Sequence, residues 1–324
     1  MKVPLFNKYC IGYTTGIGSG MTWGLDTVII GLIMAMPPFT THTLLIFKGF
    51  LVCSMLHDAF AAIWMLAIEI KNGEIKYFPS ALKSKDGKYC ILGAFFGGPL
   101  AMSFYFMSIS TSGPALTATV TACYPLLGSI MAVFILKEHI QLKGWLGLLF
   151  CIAGIIFIGF SPKDNTSTNI YNGIILSLVA SIGWATEAVV CGYGMKSNRI
   201  HPRMALLIRE LTSALIYSLL VVPITLGSYI NMVNSLKEIF SYQLCWLFFI
   251  ITAFLGMSSF LMWYTSINHI GASKALCFNV TYSIWAVIFT FLILHTTLTF
   301  NIIIGAISII VGVSLSTLTK HKQK

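Results

Sequence analysis

Two short patterns in this sequence place acids where hydrocarbon is expected. Trp184-Ala185-Thr186-Glu187 lies inside an apolar run from Tyr171 to Met195, and Trp23-Gly24-Leu25-Asp26 lies inside another, over about 11–35. Glu187 is about sixteen residues into its run, and at about 1.5 Å rise per residue that is well below either face of a bilayer. A charge at that depth costs roughly 3 kcal/mol or more unless it meets a partner or a water-filled cavity. On a helix, residues three apart share a face, so each pattern sets an indole beside a carboxyl. The expectation is that these two faces meet across one cavity and bind a charged small molecule. Asp58 and Glu210 are further acids in apolar surroundings, with Lys48, His57 and Arg209 available to neutralise some of them. Arg209 is only about six residues into its run, which predicts that it snorkels to the near surface. Lys48 is equally close to the opposite surface, so both bases read as gate or scaffold elements. His57-Asp58 is either a proton relay or a histidine tied to its helix neighbours. With Arg209 and Lys48 assigned to the surfaces, deep acids outnumber deep bases, and that favours a cationic substrate.

The elements that must hold these residues follow from composition. Of 324 residues, 57% are hydrophobic and 9% charged, where a soluble domain spends about a quarter on charge. The fold expected is all-α, a polytopic membrane protein of ten transmembrane helices. The stretches are about 11–35, 42–68, 89–109, 115–136, 144–161, 171–195, 204–227, 244–266, 273–294 and 298–318, each near the length a bilayer demands. The longest polar connection, about Lys71 to Lys88, leaves no room for an ordinary aqueous enzyme. No His-rich metal cluster, serine triad or phosphate loop is present in the sequence, so neither metal nor cofactor is expected. The net charge of +10 is not spread as a nucleic-acid surface would be. Most Lys and Arg fall in the termini and in alternate connections, the pattern that sets membrane orientation, and it puts both termini in the cytoplasm. Eight scattered cysteines without a Cys-x-x-Cys predict neither disulfides nor zinc.

Self-similarity divides the chain. A shift of 161 lays Trp23 on Trp184, Asp26 on Glu187, Gly31 on Gly192 and Lys48 on Arg209. A shift of 158 lays Tyr124 on Tyr282, Gly147 on Gly305 and Gly154 on Gly312. Two five-helix repeats are therefore expected, 1–162 and 163–324. Because five is odd, they are inverted in the membrane, an architecture of secondary transporters with the substrate at the repeat interface. One chain then holds a complete pathway.

Gly113-Pro114-Ala115, Tyr124-Pro125 and Leu136-Lys137-Glu138 with Gly144, Gly147 and Gly154 resemble the drug/metabolite transporter superfamily, of EamA-like type. Ala205-Leu206-Leu207-Ile208-Arg209, Trp184-x-x-Glu187, Ser273-Lys274-Ala275, Asn279-Val280-Thr281-Tyr282-Ser283-Ile284-Trp285 and His57-Asp58 are similar to the LicB-type choline importers. The resemblance implies proton-coupled import (symport) of choline or a related quaternary amine across a bacterial cytoplasmic membrane. Export of amino acids or another metabolite is the alternative that the broader superfamily implies. Against the narrower pattern, this chain carries Asp26 where a small residue is usual and Glu210 where an amide is. A quaternary ammonium donates no hydrogen bond, so its site needs aromatic faces and negative potential, at about 0.5–2 kcal/mol per cation–π contact. Trp23, Tyr124, Trp184, Tyr282 and Trp285 are the candidate walls and Glu187 the counter-charge. Proton coupling falls to Asp26 and Glu187. The partners expected are a choline-like cation, protons and the lipid bilayer.

Overall fold

The structure, a computed structural model, describes residues 5–112, 120–121, 123–159, 170–196, 200–295 and 300–317. The Gly113-Pro114-Ala115 motif, the expected boundary after residue 162, Lys163 and Arg199 lie outside the described residues, as do Lys2, Lys320, Lys322 and Lys324.

Among the described residues every regular element is a helix. The chain runs through α1 (Leu5–Met34), a short α2 (Pro37–Thr41), α3 (Thr43–Lys71), α4 (Phe78–Lys83), α5 (Lys85–Phe95) and α6 (Ala101–Ser112). It continues with α7 (Tyr124–Ile135), α8 (Leu142–Gly159), α9 (Ile170–Met195), α10 (Pro202–Ile216), α11 (Val222–Leu226) and α12 (Tyr229–Ser241). It closes with α13 (Gln243–Ile270), α14 (Ala272–Asn279), α15 (Tyr282–Leu294) and α16 (Phe300–Thr317). Two π-helical turns, Phe96–Leu100 and Tyr217–Val221, join α5 to α6 and α10 to α11. By length and apolar composition seven helical stretches can cross a membrane, and three shorter apolar helices, Tyr124–Ile135, Leu142–Phe157 and Ile303–Leu315, accompany them. Each of the ten stretches expected from the sequence overlaps one of these. Large apolar side chains such as Phe47, Phe134, Leu142 and Ile224 face outward, which suits a lipid solvent and not water.

Local chemistry sets the ends. Proline occupies the first turn of α7 and α10, where its missing N–H is not needed. Ser84 caps α5 by accepting from Gly87 N–H at 2.9 Å. The ninth stretch departs from expectation: it is two helices, broken at Val280-Thr281. The hydroxyls of Thr281 and Ser283 donate to the Phe278 and Val280 carbonyls at 2.7 and 3.0 Å, which also accept the backbone N–H groups of the same two residues at 3.1 and 3.3 Å, so the break is closed by local turns. The connection after residue 227 also holds a helix that was not expected, α12. It begins where the Ser228 side chain accepts from Asn231 N–H and buries Ile239 while exposing Ile230 and Val233.

The packing is reciprocal. Helix α1 lies along α13, while α9 lies along α5 and α6, α3 meets α10, and α8 meets α16. Under the two sequence shifts the first pairing becomes the second, and each of the last two maps onto itself. In the α8–α16 crossing, a Cβ on Gly154 would stand 2.5 Å from the Gly305 carbonyl oxygen, and one on Gly312 would stand 2.5 Å from that of Gly147. Cys151, whose counterpart is Ile309, sits with its sulfur 3.9 Å from the Ile309 carbonyl oxygen. Rising numbers on one helix meet falling numbers on the other, so the two run antiparallel. Halves related by a two-fold axis in the membrane plane produce this pattern.

Candidate functional site

Arg209 forms the centre of a buried charged network. Residues Met204 to Glu210 of α10 are all buried, so the helix passes through the core and not along its rim. The guanidinium donates from Nε to Glu187 Oε1 at 3.0 Å and from Nη1 to Glu210 Oε2 at 2.9 Å. Asp58 Oδ1 is 3.4 Å from Nη1, and the guanidinium lies over the Phe260 ring, 4.2 Å from its centroid. Ser213 donates to Asp58 Oδ2 at 2.5 Å. His57 stands between two acids, with Nδ1 3.3 Å from Asp58 Oδ1 and Nε2 3.5 Å from Asp26 Oδ2. The line Asp26–His57–Asp58–Arg209–Glu187 thus crosses α1, α3, α10 and α9.

This corrects three expectations. Arg209 does not snorkel: its side chain is 3% exposed. Among the described residues the two motif acids are joined through His57, Asp58 and Arg209 and are not simply set face to face. A deep base is present, so the argument from its absence fails. The charge excess survives by a different count. Asp26, Asp58, Glu187 and Glu210 are four buried carboxyls against at most two positive groups, Arg209 and a protonated His57, an excess of two. A buried excess of that size is offset by bound protons or a bound cation. Glu187 Oε2, Glu210 Oε1 and both Asp26 oxygens have no hydrogen-bond partner among the described residues.

The π-helical turns shape this network. A Cβ on Gly97 would stand 1.7 Å from Glu187 Oε2, and one on Gly98 would stand 2.2 Å from Ser213 Oγ, so only glycine lets the Phe96–Leu100 turn close over the carboxyls. Tyr217, in the other π-helical turn, donates to the Gly98 carbonyl at 3.3 Å. Single π turns recur at functional sites because they free backbone groups inside a helix. Gly256 on α13 leaves room for His57, whose Nε2 a Cβ there would meet at 2.3 Å.

The aromatic residues divide into two groups. Trp184 packs against Tyr124 at 5.8 Å and Tyr105 at 5.1 Å between ring centroids, and Tyr282 is within electrostatic reach of both tyrosines. Trp23 instead meets Phe260 edge-on at 5.2 Å, the ring over which Arg209 lies. Trp285 stacks with Phe289 at 6.2 Å and packs against α1 at Gly24. Lys48 is not a counterpart of Arg209 in its surroundings: its Nζ donates to the Thr225 carbonyl at 2.5 Å, tying α3 to α11. Tyr105 and Asn279 joined the picture only in three dimensions. Asn279, at the break before α15, accepts from Tyr124 OH at 2.7 Å and donates to Ser19 Oγ at 3.1 Å. Tyr264 was also missed. It donates to Glu187 Oε1 at 3.2 Å. One neutral ring or amide among 43 aromatic residues carries no signal of its own, although the polar Asn279 within an apolar run is one.

The sequence profile of the EamA-like transporter family matches residues 10–160 and again 171–318. LicB of Haemophilus influenzae is 24% identical over 276 residues, covering 85% of this chain and 87% of LicB. The uncharacterized transporter YoaV of Bacillus subtilis is 24% identical over 307 residues, 94% of this chain and 96% of YoaV. A solved crystal structure shares the fold with a TM-score of 0.72 at 15% identity, over 95% of this chain and 96% of that one. Apolar helices of spanning length, a charged network at their core and a family match over both halves lead to one conclusion: this chain is a multi-pass membrane protein that belongs to the EamA-like transporter family.

Proposed function

We propose that the chain is a secondary carrier of choline or a closely related quaternary amine, linked to protons. The observation that carries this reading is the position of Glu187 one helical turn from Trp184, with Tyr124 and Tyr105 against the indole. A buried carboxyl one helical turn from an indole that two phenols flank is a combination that attracts a cation offering no hydrogen bond. The surplus of buried carboxyls adds negative potential and reserves places for protons. Likeness to LicB supports import. The basic residues of alternate connections support a bacterial cytoplasmic membrane with both termini inside. The doubled family match supports two halves, 1–162 and 163–324, that together form the pathway in one copy. Export of a metabolite in exchange for protons is the second reading, favoured by the same carboxyl surplus.

The test is uptake and efflux of labelled choline in proteoliposomes, with amino acids as competitors. Trp184→Ala is expected to weaken choline uptake about tenfold or more at limiting substrate, since one dry cation–π wall is worth about 1–2 kcal/mol. Trp184→Phe keeps a ring and is expected to be milder. Parental uptake by both variants would remove the aromatic site from the account.

A further inference from the structure

We infer that Arg209 links the substrate site to a proton-holding arm, Asp58–His57–Asp26, so that a quaternary cation and protons displace one another. The inference rests on the cation reading above and adds its sign. One guanidinium serves Glu187 at 3.0 Å, Glu210 at 2.9 Å and Asp58 at 3.4 Å. These three acids share it and cannot all be fully paired by it. On the other side of Asp58 stands His57, which also faces Asp26. A cation arriving at Glu187 supplies the charge that Arg209 supplied there, and the guanidinium is then free to serve Asp58 and Glu210. His57 loses the pull of Asp58, and the arm gives up a proton to solvent. Run backwards, a proton loaded on the arm leaves Arg209 bound to Glu187 and excludes the cation. Like charges in one buried network oppose each other, and the linkage is reciprocal.

The other titratable groups facing this arm do not alter the sign. Cys53 on α3, Cys245 on α13, Tyr217 and Tyr264 are buried or packed thiols and phenols, groups that ordinarily titrate at about pH 8.5 or above, the top of the range tested below. On this inference Asp26 does not load its proton together with the substrate, as the symport implied by the family resemblance would require. It is the far end of the same network. A carrier built this way exchanges cation for proton and runs in whichever direction the two gradients dictate.

The experiment uses the full chain purified in detergent, with choline as the probe and binding measured across pH 5.5 to 8.5. Opposed occupancy predicts that the choline dissociation constant rises as pH falls, approaching about tenfold per pH unit for one proton displaced. Choline added to a weakly buffered sample should acidify it. In Asp26→Asn and His57→Gln, each binding choline, that pH slope should fall to less than half. If either variant does not fold, judged by size exclusion and melting, the other carries the test. A slope that stays parental in the folded variants confines proton competition to Glu187 and overturns the arm. Tighter binding at low pH overturns the exchange. Failure of the parent to bind choline at any pH defeats the cation reading instead, and so is told apart from failure of the arm.

Discussion

Arg209→Gln is expected to destabilise the folded protein by about 3–5 kcal/mol, the effect of removing one partner from a buried ion network, and to abolish transport. The substitution leaves Glu187, Glu210 and Asp58 facing one another without the guanidinium that lies within 3.4 Å of all three. Because the damage is uncompensated acid, removing one acid as well should repair part of it. The Arg209→Gln, Glu210→Gln double variant is therefore expected to melt above the single one. Arg209→Lys retains the charge but not the planar fork that reaches several carboxylates at once, and should fall between the parent and Arg209→Gln. Thermal unfolding in detergent measures all of these. A single variant that melts with the parent would place Arg209 outside the network.

The second large effect comes from a residue with no side chain. Gly97→Ala puts a Cβ within 1.7 Å of Glu187 Oε2 and 2.2 Å of its carboxyl carbon, and no shift of a few tenths of an ångström relieves such an overlap. The carboxylate must swing away, losing its 3.0 Å bond to Arg209 and its 3.2 Å bond from Tyr264. Choline binding is expected to fall at least tenfold, about 1.4 kcal/mol. Gly98→Ala is the comparison, because its Cβ meets Ser213 on the Asp58 side of the network and not Glu187. Equilibrium binding of the two variants compares them directly. Equal affinity for Gly97→Ala and the parent would contradict the placement of Glu187 at the substrate.

Much of this was legible in the sequence. The two Trp-x-x-acid patterns located Asp26 and Glu187, because a charge in a long apolar run has few explanations. The repeat was legible because its glycines survive where α8 and α16 cross closely. Arg209 was misread for an identifiable reason: depth was counted from the start of its run, as if α10 met lipid on one side. Leu206, Leu207 and Ile208 in succession mark two turns of helix buried all round, and the adjacent pair Arg209-Glu210 within that run points to internal partners. The aromatic candidates fall into two groups that the sequence does not separate. Ring type says what a residue can do, but which rings meet depends on how α6 and α7 approach α9, and short-range spacing does not encode that. Trp23 matches Trp184 in sequence, yet its ring meets Phe260, over which Arg209 lies, and not the tyrosines that flank Trp184.

The most direct test of the central claim is stabilisation of the purified protein by choline, with tetramethylammonium, betaine and amino acids alongside, in the parent and in Glu187→Gln. The account predicts that choline and tetramethylammonium at 100 times their dissociation constants stabilise the parent by about 2.7 kcal/mol. Betaine, which brings a carboxylate toward Glu187, should do less, and Glu187→Gln should lose most of the effect of either cation. No stabilisation of the parent by either cation, or equal stabilisation of Glu187→Gln, would contradict a quaternary amine bound at Glu187.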